Sequence, residues 1–245
     1  MSEKSISCLF WNIRANKQDT INKIFEFANP DILFLAEVET PNLGTICSLL
    51  NDRGYECIKW VGDDKSPKKG LALYAKSGII DNSYTAGDGD YCIAAKLSGG
   101  EECVVGVWTK TEKPIRYCDH MQNIFDYHIA KENNPIFIGD FNVSSKVIGS
   151  SGRAAIRLFK YFKEKGYESL YHLDRSIEVG EEIDVTHLHS SGGYFMVDYV
   201  LIPVSSSGSI DLITDYSSAK DFLQSGYSDH IPIIFELKNR NEKTS

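Results

Sequence analysis

The 245-residue sequence predicts an α/β fold in which mixed β-sheets pack face to face with helices on the outside. Short apolar runs rich in β-branched and aromatic residues recur along the whole chain, and most are bounded by Gly, Pro, Asn or Asp. Four longer segments instead place apolar residues three and four positions apart, as in a helix with one buried face. The order is neither a strict strand–helix alternation nor all strand, which favours mixed sheets over a purely parallel or antiparallel one.

The predicted strands follow from the short apolar runs, and the predicted helices follow from the spacing of three and four residues. The predicted strands are residues 5–11, 31–38, 55–61, 70–76, 91–97, 102–108, 135–141, 195–202 and 231–237. The predicted helices are residues 16–28, 42–53, 117–132 and 152–166. Strands therefore dominate the middle of the chain, and helices lie before and after it.

Composition is that of a globular protein, with 42% hydrophobic residues and no internal repeat or low-complexity tract. We therefore expect a single domain over residues 1–245. The first residues show no basic stretch followed by an apolar one, and no apolar run is long enough to cross a bilayer, so we expect a cytoplasmic protein without a membrane partner. The six cysteines form no C-x-x-C pair, and we expect them to be reduced.

The charge balance opposes one class of function. There are 26 Lys and Arg residues against 34 Asp and Glu residues, a net charge of −8, which is the wrong sign for holding nucleic acid by charge alone. Local basic patches or a bound metal would have to compensate. The candidate patches are Lys65, Lys68 and Lys69, and then Arg153, Arg157, Lys160, Lys163 and Lys165. Each cluster taken alone is more simply a solvated loop or helix face.

Polar residues lie within, or directly before or after, five of the apolar strands. They are Asn12, Glu37, Asp140 with Asn142, Asp198, and Asp229 with His230. A carboxylate inside an apolar run needs a partner or a metal, because burying it alone is costly. Hydrolysis of a phosphodiester requires a metal to neutralise the phosphate, an activated water and a proton donor for the leaving oxygen. Carboxylates, amides and a histidine at strand ends can supply these functions.

The motifs that carry these residues are WN at 11–12, AE at 36–37, GDFN at 139–142, VDYVL at 197–201 and SDH at 228–230. In this order they resemble the endonuclease/exonuclease/phosphatase superfamily, whose members include DNase I, exodeoxyribonuclease III and neutral sphingomyelinases. The resemblance covers almost the whole chain. It implies a DNase I-like four-layer α/β sandwich, in which two mixed sheets are flanked by helices and the active site lies at one edge of the sheets.

The resemblance also implies roles for single residues. Glu37 would be the main ligand of Mg²⁺ or Mn²⁺, with Asn12 and Asp229 near the metal or the phosphate. Asp140 and Asn142 would orient the attacking water. His230 would be the general acid or base, and Asp198 would hydrogen-bond its far nitrogen and fix its tautomer.

Substrate contacts are less well determined. Many superfamily members place a His or Tyr after the strand that precedes GDFN, whereas this chain has Trp108. Three alternatives are open: Trp108 fills that position, Lys110 reaches the phosphate instead, or this phosphate contact is absent. Arg153, in the basic helix after GDFN, and His189 are further candidates. His187 and His189 form an H-x-H without companion ligands for zinc, so we expect exposed loop residues or a substrate contact.

The leading hypothesis is a Mg²⁺- or Mn²⁺-dependent nuclease that acts on DNA or RNA, with no obligate protein partner. An alternative is a phosphoesterase for a phospholipid head group, an inositol phosphate or a nucleotide, which suits an acidic protein better than a long polyanion does. A binding module that has lost the chemistry is a third possibility. The complete set of polar residues argues against it, because a module without chemistry has no need of every ligand.

Overall fold

The computed structural model describes residues 5–14, 18–62, 68–85, 91–111 and 116–238. Its strands are β1 (Ile6–Asn12), β2 (Ile32–Glu39), β3 (Tyr55–Gly62), β4 (Lys69–Lys76), β5 (Ile80–Tyr84), β6 (Cys92–Leu97), β7 (Cys103–Trp108), β8 (Ile136–Asp140), β9 (Tyr167–Ser169), β10 (His187–Leu188), β11 (Tyr194–Phe195), β12 (Asp198–Pro203), β13 (Ile210–Leu212) and β14 (Ile233–Leu237). Its helices are α1 (Gln18–Phe27), α2 (Leu43–Asn51), α3 (Tyr117–Lys131), α4 (Ser150–Glu164), α5 (Leu170–Arg175) and α6 (Ala219–Gln224), with 3₁₀ turns at Thr40–Asn42 and Val204–Ser209.

Two six-stranded sheets form the centre of the protein. The first has the strand order β13-β14-β1-β2-β4-β3, and the second has the order β5-β6-β7-β8-β12-β9. The pairs β1–β2 and β7–β8 are parallel and the other pairs are antiparallel, so both sheets are mixed, as predicted. A separate two-stranded hairpin, β10–β11, lies outside both sheets.

The alternation of side chains along each strand divides the core into three layers. In β1, Phe10 packs between the two sheets, whereas Leu9 packs on the outer face of the first sheet against α1 and α2. In β8, Ile138 packs between the sheets and Phe137 packs outward, against α3 and α4. Helices, sheet, sheet and helices thus form four layers. The predicted four-layer α/β sandwich, with two mixed sheets flanked by helices, is confirmed.

The structure adds elements that the apolar spacing did not reveal, among them α5, α6, β5, β9 and β13. All are six residues or shorter, and β5 and β13 are edge strands with partly exposed side chains. A strand or helix of this length contains too few residues to display a periodic pattern.

One expectation about the cysteines is wrong. Cys47 of α2 and Cys57 of β3 form a disulfide, whereas Cys8, Cys92, Cys103 and Cys118 are free. The turn between α2 and β3 reverses the chain and brings the two Cα atoms to 5.8 Å, a distance that a disulfide spans without backbone movement. Sequence spacing alone did not show this reversal. Within the described residues, no helix combines the length and the apolar character needed to span a bilayer.

Candidate active site

The predicted site residues meet at one edge of the sandwich because of strand direction. In the first sheet, Asn12 at the end of β1 is in register with Ala36 of the parallel strand β2. In the second sheet, Asp140 at the end of β8 is in register with Trp108 at the end of the parallel strand β7. The antiparallel strand β12 begins at Asp198, directly opposite Asp140. Both sheets therefore end in polar residues on the same side of the molecule.

These polar side chains also point to the same face. Asn12 is two residues beyond Phe10, and Asp140 is two residues beyond Ile138, and both apolar residues pack in the layer between the sheets. Side chains two positions apart in a strand share a face. Asn12, Asp140 and Asp198 consequently lie where the apolar inter-sheet layer ends, and each is at most 2% exposed.

Gly139 has a steric role in this arrangement. A Cβ atom at this position would lie 1.9 Å from the carbonyl oxygen of Val107 in the neighbouring strand β7. After Asp140 the chain turns through Asn142, whose φ of 51° is in the left-handed region that Asn tolerates better than most residues. The Asn142 backbone N–H donates to Asp140 Oδ1 at 3.0 Å, and its Nδ2 donates to the Thr109 carbonyl at 3.0 Å. The GDFN segment is thus locked to the end of β7.

The two sheets are joined across this edge by the Asn12 amide. Asn12 Nδ2 donates to Asp140 Oδ2 at 3.1 Å and lies 3.4 Å from Glu37 Oε1. The same nitrogen is 3.5 Å from His230 Nε2, which itself lies 3.9 Å from Asp140 Oδ2. One amide therefore lies beside two carboxylates and the imidazole, which brings four of the predicted residues together.

His230 and Asp198 form a buried pair that also crosses between the sheets. His230 Nδ1 lies 2.9 Å from Asp198 Oδ2 and 3.1 Å from Oδ1, so the predicted hydrogen bond is present in the structure. With a proton on Nδ1 donated to the carboxylate, Nε2 is the nitrogen that faces Asp140 and Asn12. This is the geometry in which an Asp fixes the orientation of a His.

The backbone around this pair is held by side-chain hydrogen bonds. Trp11 Nε1 donates to the His230 carbonyl at 2.8 Å. The Ser228 hydroxyl donates to the Asn12 carbonyl at 2.6 Å and accepts from the His230 N–H at 3.1 Å. Thr186 Oγ1 accepts from the Asp198 N–H at 3.1 Å. Ser228, the first residue of the SDH motif, therefore anchors His230 to the end of β1.

Burial and the neighbouring charges shift the pKa values of the pair. Burial disfavours the imidazolium, but the carboxylates of Asp198 and Asp140 outweigh this effect and raise the pKa of His230 to about 10. Burial also raises the pKa of Asp140 to about 7, against the opposing effect of His230. The two carboxylates therefore favour the protonated imidazole, in which Nε2 carries a proton toward Asp140.

Two cations, neither of them in the predicted site, pair with the more exposed carboxylates. Lys69 Nζ lies 2.6 Å from Glu37 Oε2, and Arg14 Nε lies 3.3 Å from Asp229 Oδ2. Glu37 has a φ of 61° where a bulge interrupts the pairing of β2 with β4. A positive φ is costly for Glu, and such strain concentrates at functional sites.

Lys69 was noted only as part of a basic cluster. Lys65 of that cluster lies outside the described residues.

The donor set fits a hard divalent cation. Asp140, Asp198 and His230 offer ligand atoms that all lie within 4.8 Å of one another, and Glu37 adds a carboxylate to the same edge through its contact with Asn12. Oxygen-rich sets of this kind suit Mg²⁺ or Mn²⁺ better than zinc. Because Asp198 and His230 are hydrogen-bonded to each other, the carboxylates of Asp140 and Glu37 are the more available ligands for a metal.

Trp108 and Lys110 differ in their access to the site. Trp108 is only 5% exposed, and its ring packs edge-on against Tyr91 at 5.4 Å between centroids. Lys110 is half-buried, and its Nζ lies 4.4 Å from the ring centroids of both aromatic residues. Lys110 is thus the more accessible of the two side chains, and Trp108 is buried beneath its ammonium group.

The H-x-H segment is closer to the site than expected. His187 is half-buried, and its ring lies 4.4 Å from that of His230 at an interplanar angle of 36°. The expectation that it is an exposed loop residue is wrong, because the hairpin folds back onto the SDH segment through a β-bridge between His187 and His230. His189 is exposed, as expected. Arg153 is exposed on α4, and no side-chain contact among the described residues joins it to the cluster.

Comparison with known proteins identifies the fold but not the activity or the substrate. Neither a protein-family model nor a curated protein matches the sequence. Among solved structures, an AP endonuclease from Archaeoglobus fulgidus is similar with a TM-score of 0.70 and 16% identity, over 96% of this chain and 100% of that one. The 3' phosphatase NExo from Neisseria, bound to a product DNA hairpin, has a TM-score of 0.74 and 15% identity, again over 96% and 100%. ANGEL2, a 2',3'-cyclic phosphatase, has a TM-score of 0.62 and 15% identity, over 96% of each chain.

Proposed function

We propose that this chain, which has the DNase I-like fold, is a divalent-metal-dependent phosphodiesterase, and that its substrate is DNA or RNA. The observation that carries the proposal is the contact network at the sheet edge. Asn12 touches Asp140, and His230 is held by Asp198 with Nε2 facing both. The similar structures include an AP endonuclease and a 3' phosphatase bound to DNA, which supports a nucleic acid substrate.

Mg²⁺ or Mn²⁺, held by Glu37 and Asp140 with Asn12 and Asp229 nearby, would neutralise the phosphate and favour ionisation of a water. Asp140 lies between Asn12 and His230, where its carboxylate can orient a water toward the phosphorus atom. The Asn142 amide, fixed by Thr109, extends the same polar surface.

His230 supplies the proton for the leaving oxygen. The carboxylates of Asp198 and Asp140 raise the pKa of His230 and so favour a proton on Nε2. Asp198 keeps Nδ1 engaged, so that only Nε2 is available for transfer. Lys110, two residues beyond the end of β7, would bind a non-bridging phosphate oxygen through its ammonium group.

A substrate panel tests the proposal. Single-stranded and duplex DNA, RNA, an abasic duplex, inositol phosphates and sphingomyelin are each incubated with Mg²⁺, with Mn²⁺ and with a chelator. We expect nucleic acid to be hydrolysed only with metal. Glu37→Gln should reduce the rate by at least tenfold, whereas Glu56→Gln, the same change at an exposed position of β3, should not. Hydrolysis of small phosphoesters alone would support the alternative, and metal-independent cleavage would contradict the mechanism.

A further inference from the structure

The hairpin β10–β11 presents two different faces. Its register pairs His187 with Phe195 and Leu188 with Tyr194. Leu188 and Tyr194 pack against the outer core of the second sheet. His187 and Phe195 therefore lie on the opposite face, together with His189, which is two residues beyond His187. One face of the hairpin contributes to folding, and the other carries three aromatic rings beside the catalytic edge.

These rings form a continuous series that begins at His230. The ring of His187 lies 4.4 Å from that of His230, His189 packs edge-on against His187 at 6.1 Å, and Phe195 packs edge-on against His189 at 6.2 Å. Exposure increases along the hairpin, since His187 and Phe195 are half-buried and His189 is exposed. The series thus connects the proposed proton donor with His189, the ring that is exposed to solvent.

The residues of the hairpin turn restrain the two outer rings. Residues 190–193 are Ser-Ser-Gly-Gly, and Gly192 has a φ of 86°. A Cβ atom on Gly193 would lie 2.8 Å from the Phe195 ring, so the ring packs closely over Gly193 and is positioned by the turn. His189 Nδ1 is within 2.8 Å of the Ser191 hydroxyl, a contact that restrains its ring at the tip.

We propose that the Phe195 ring, with the ring of His189 edge-on beside it, forms a stacking platform for an unpaired nucleobase next to the scissile phosphate, so that the substrate is single-stranded DNA or RNA. This inference rests on the proposed phosphodiesterase function and names its substrate class. A base within a duplex has both faces covered by its neighbours, whereas an unpaired base offers a face to an aromatic ring.

The net charge of the protein also favours binding by stacking over binding by charge. With a net charge of −8, electrostatic attraction to many phosphates cannot supply the affinity, and the loop that leads to the hairpin carries Glu178, Glu181 and Asp184. Stacking does not depend on charge and contributes roughly 5- to 100-fold in affinity for each base. Binding should accordingly weaken far less between 50 and 200 mM salt than the roughly thousandfold expected of a protein that neutralises six or more phosphates.

The test is binding of oligonucleotides that contain 2-aminopurine, measured with the full chain in a chelator as quenching of the base fluorescence. We expect single strands of DNA, RNA or both to be quenched and to bind more tightly than the duplex. Phe195→Leu should weaken binding about 5- to 100-fold, whereas Phe195→Tyr, which keeps the ring, should stay within about twofold of the unmodified chain. Tyr194→Leu is the matched control, because it removes a ring from the opposite face. Thermal unfolding verifies that each variant is folded.

The same variants distinguish this inference from the proposed function when hydrolysis is measured with Mg²⁺. If the unmodified chain cleaves nucleic acid, but Phe195→Leu binds and cleaves single strands as well as it does, the platform is wrong and the phosphodiesterase stands. If nothing is hydrolysed, yet quenching is lost only in Phe195→Leu, the platform stands and the enzymatic function is wrong. Preferential binding of duplex, or quenching that is equal in all variants, would overturn the platform.

Discussion

Glu182 should make a large, pH-dependent contribution to stability. Its buried carboxylate accepts hydrogen bonds from the Ser145 hydroxyl at 2.7 Å and from the Gly180 N–H at 3.1 Å, and it lies 3.0 Å from His172 Nε2. Burial alone would raise the pKa of Glu182, but the contacts with His172, Ser145 and Gly180 outweigh it and lower the pKa from 4.5 to about 2. The carboxylate thereby ties the segment after GDFN to the loop that precedes the hairpin.

The size of this contribution to the free energy of unfolding follows from the difference between the folded and unfolded pKa values of Glu182. A folded-state pKa of about 2 against 4.5 in the unfolded chain corresponds to about 3 kcal/mol of stability at pH 7, at 1.36 kcal/mol per pKa unit. Because the folded pKa is the lower one, this contribution is fully present above about pH 4.5 and is lost as the pH falls toward 2. At pH 3 about half of it should remain, roughly 1.5 kcal/mol.

Urea unfolding of the unmodified chain and of Glu182→Gln, at several pH values between 3 and 7, measures this difference directly. We expect the gap in free energy of unfolding to be about 3 kcal/mol at pH 7 and to narrow to about half by pH 3. Glu181→Gln, at the exposed neighbouring position, serves as the control and should show a gap close to zero. A gap for Glu182→Gln that stays constant from pH 7 to pH 3 would refute the reasoning, since a constant gap reflects packing and not ionisation.

Three further substitutions have defined outcomes. Asp198→Asn should lower kcat by roughly 10²- to 10⁴-fold with a small change in KM, because His230 loses the partner of Nδ1; steady-state hydrolysis measures this, and a normal kcat would contradict the role. Lys110→Gln should raise KM by about tenfold or more with kcat nearly unchanged, through loss of a charge-assisted phosphate contact, and an unchanged KM would rule that contact out. Gly139→Ala should cost about 3 kcal/mol or more in a thermal or urea unfolding experiment, because its Cβ would lie 1.9 Å from a backbone oxygen; stability equal to that of the unmodified chain would show that the strands can separate.

Much of this architecture could be predicted because it depends on local pattern. Apolar runs rich in β-branched and aromatic residues identified the central strands, and the polar interruptions at Asn12, Asp140 and Asp198 identified the edge where they meet. Each interruption is visible in sequence because a polar side chain in an apolar strand is unusual. Their arrangement across two sheets was supplied by the resemblance, and the structure shows the contacts.

The features that were missed depend on long-range folding. Lys69 pairs with Glu37 from a strand 32 residues away, and His187 reaches His230 only because the hairpin folds back. Neither residue interrupts an apolar pattern in a way that marks it. The disulfide between Cys47 and Cys57 likewise depends on a chain reversal, and the weakly apolar edge strands carry no strong periodicity. Sequence spacing can identify a functional residue more readily than its partner.

The most direct test of the central claim is the effect of His230→Gln on phosphodiester hydrolysis. Single-turnover cleavage of a single-stranded oligonucleotide is measured with saturating Mg²⁺, and circular dichroism verifies the fold of the variant. We predict that the unmodified chain cleaves only with metal and that His230→Gln reduces the rate constant by at least about 100-fold, because the proton at Nε2 is lost. A variant that is folded and cleaves at the rate of the unmodified chain would contradict the assignment of this edge as the active site.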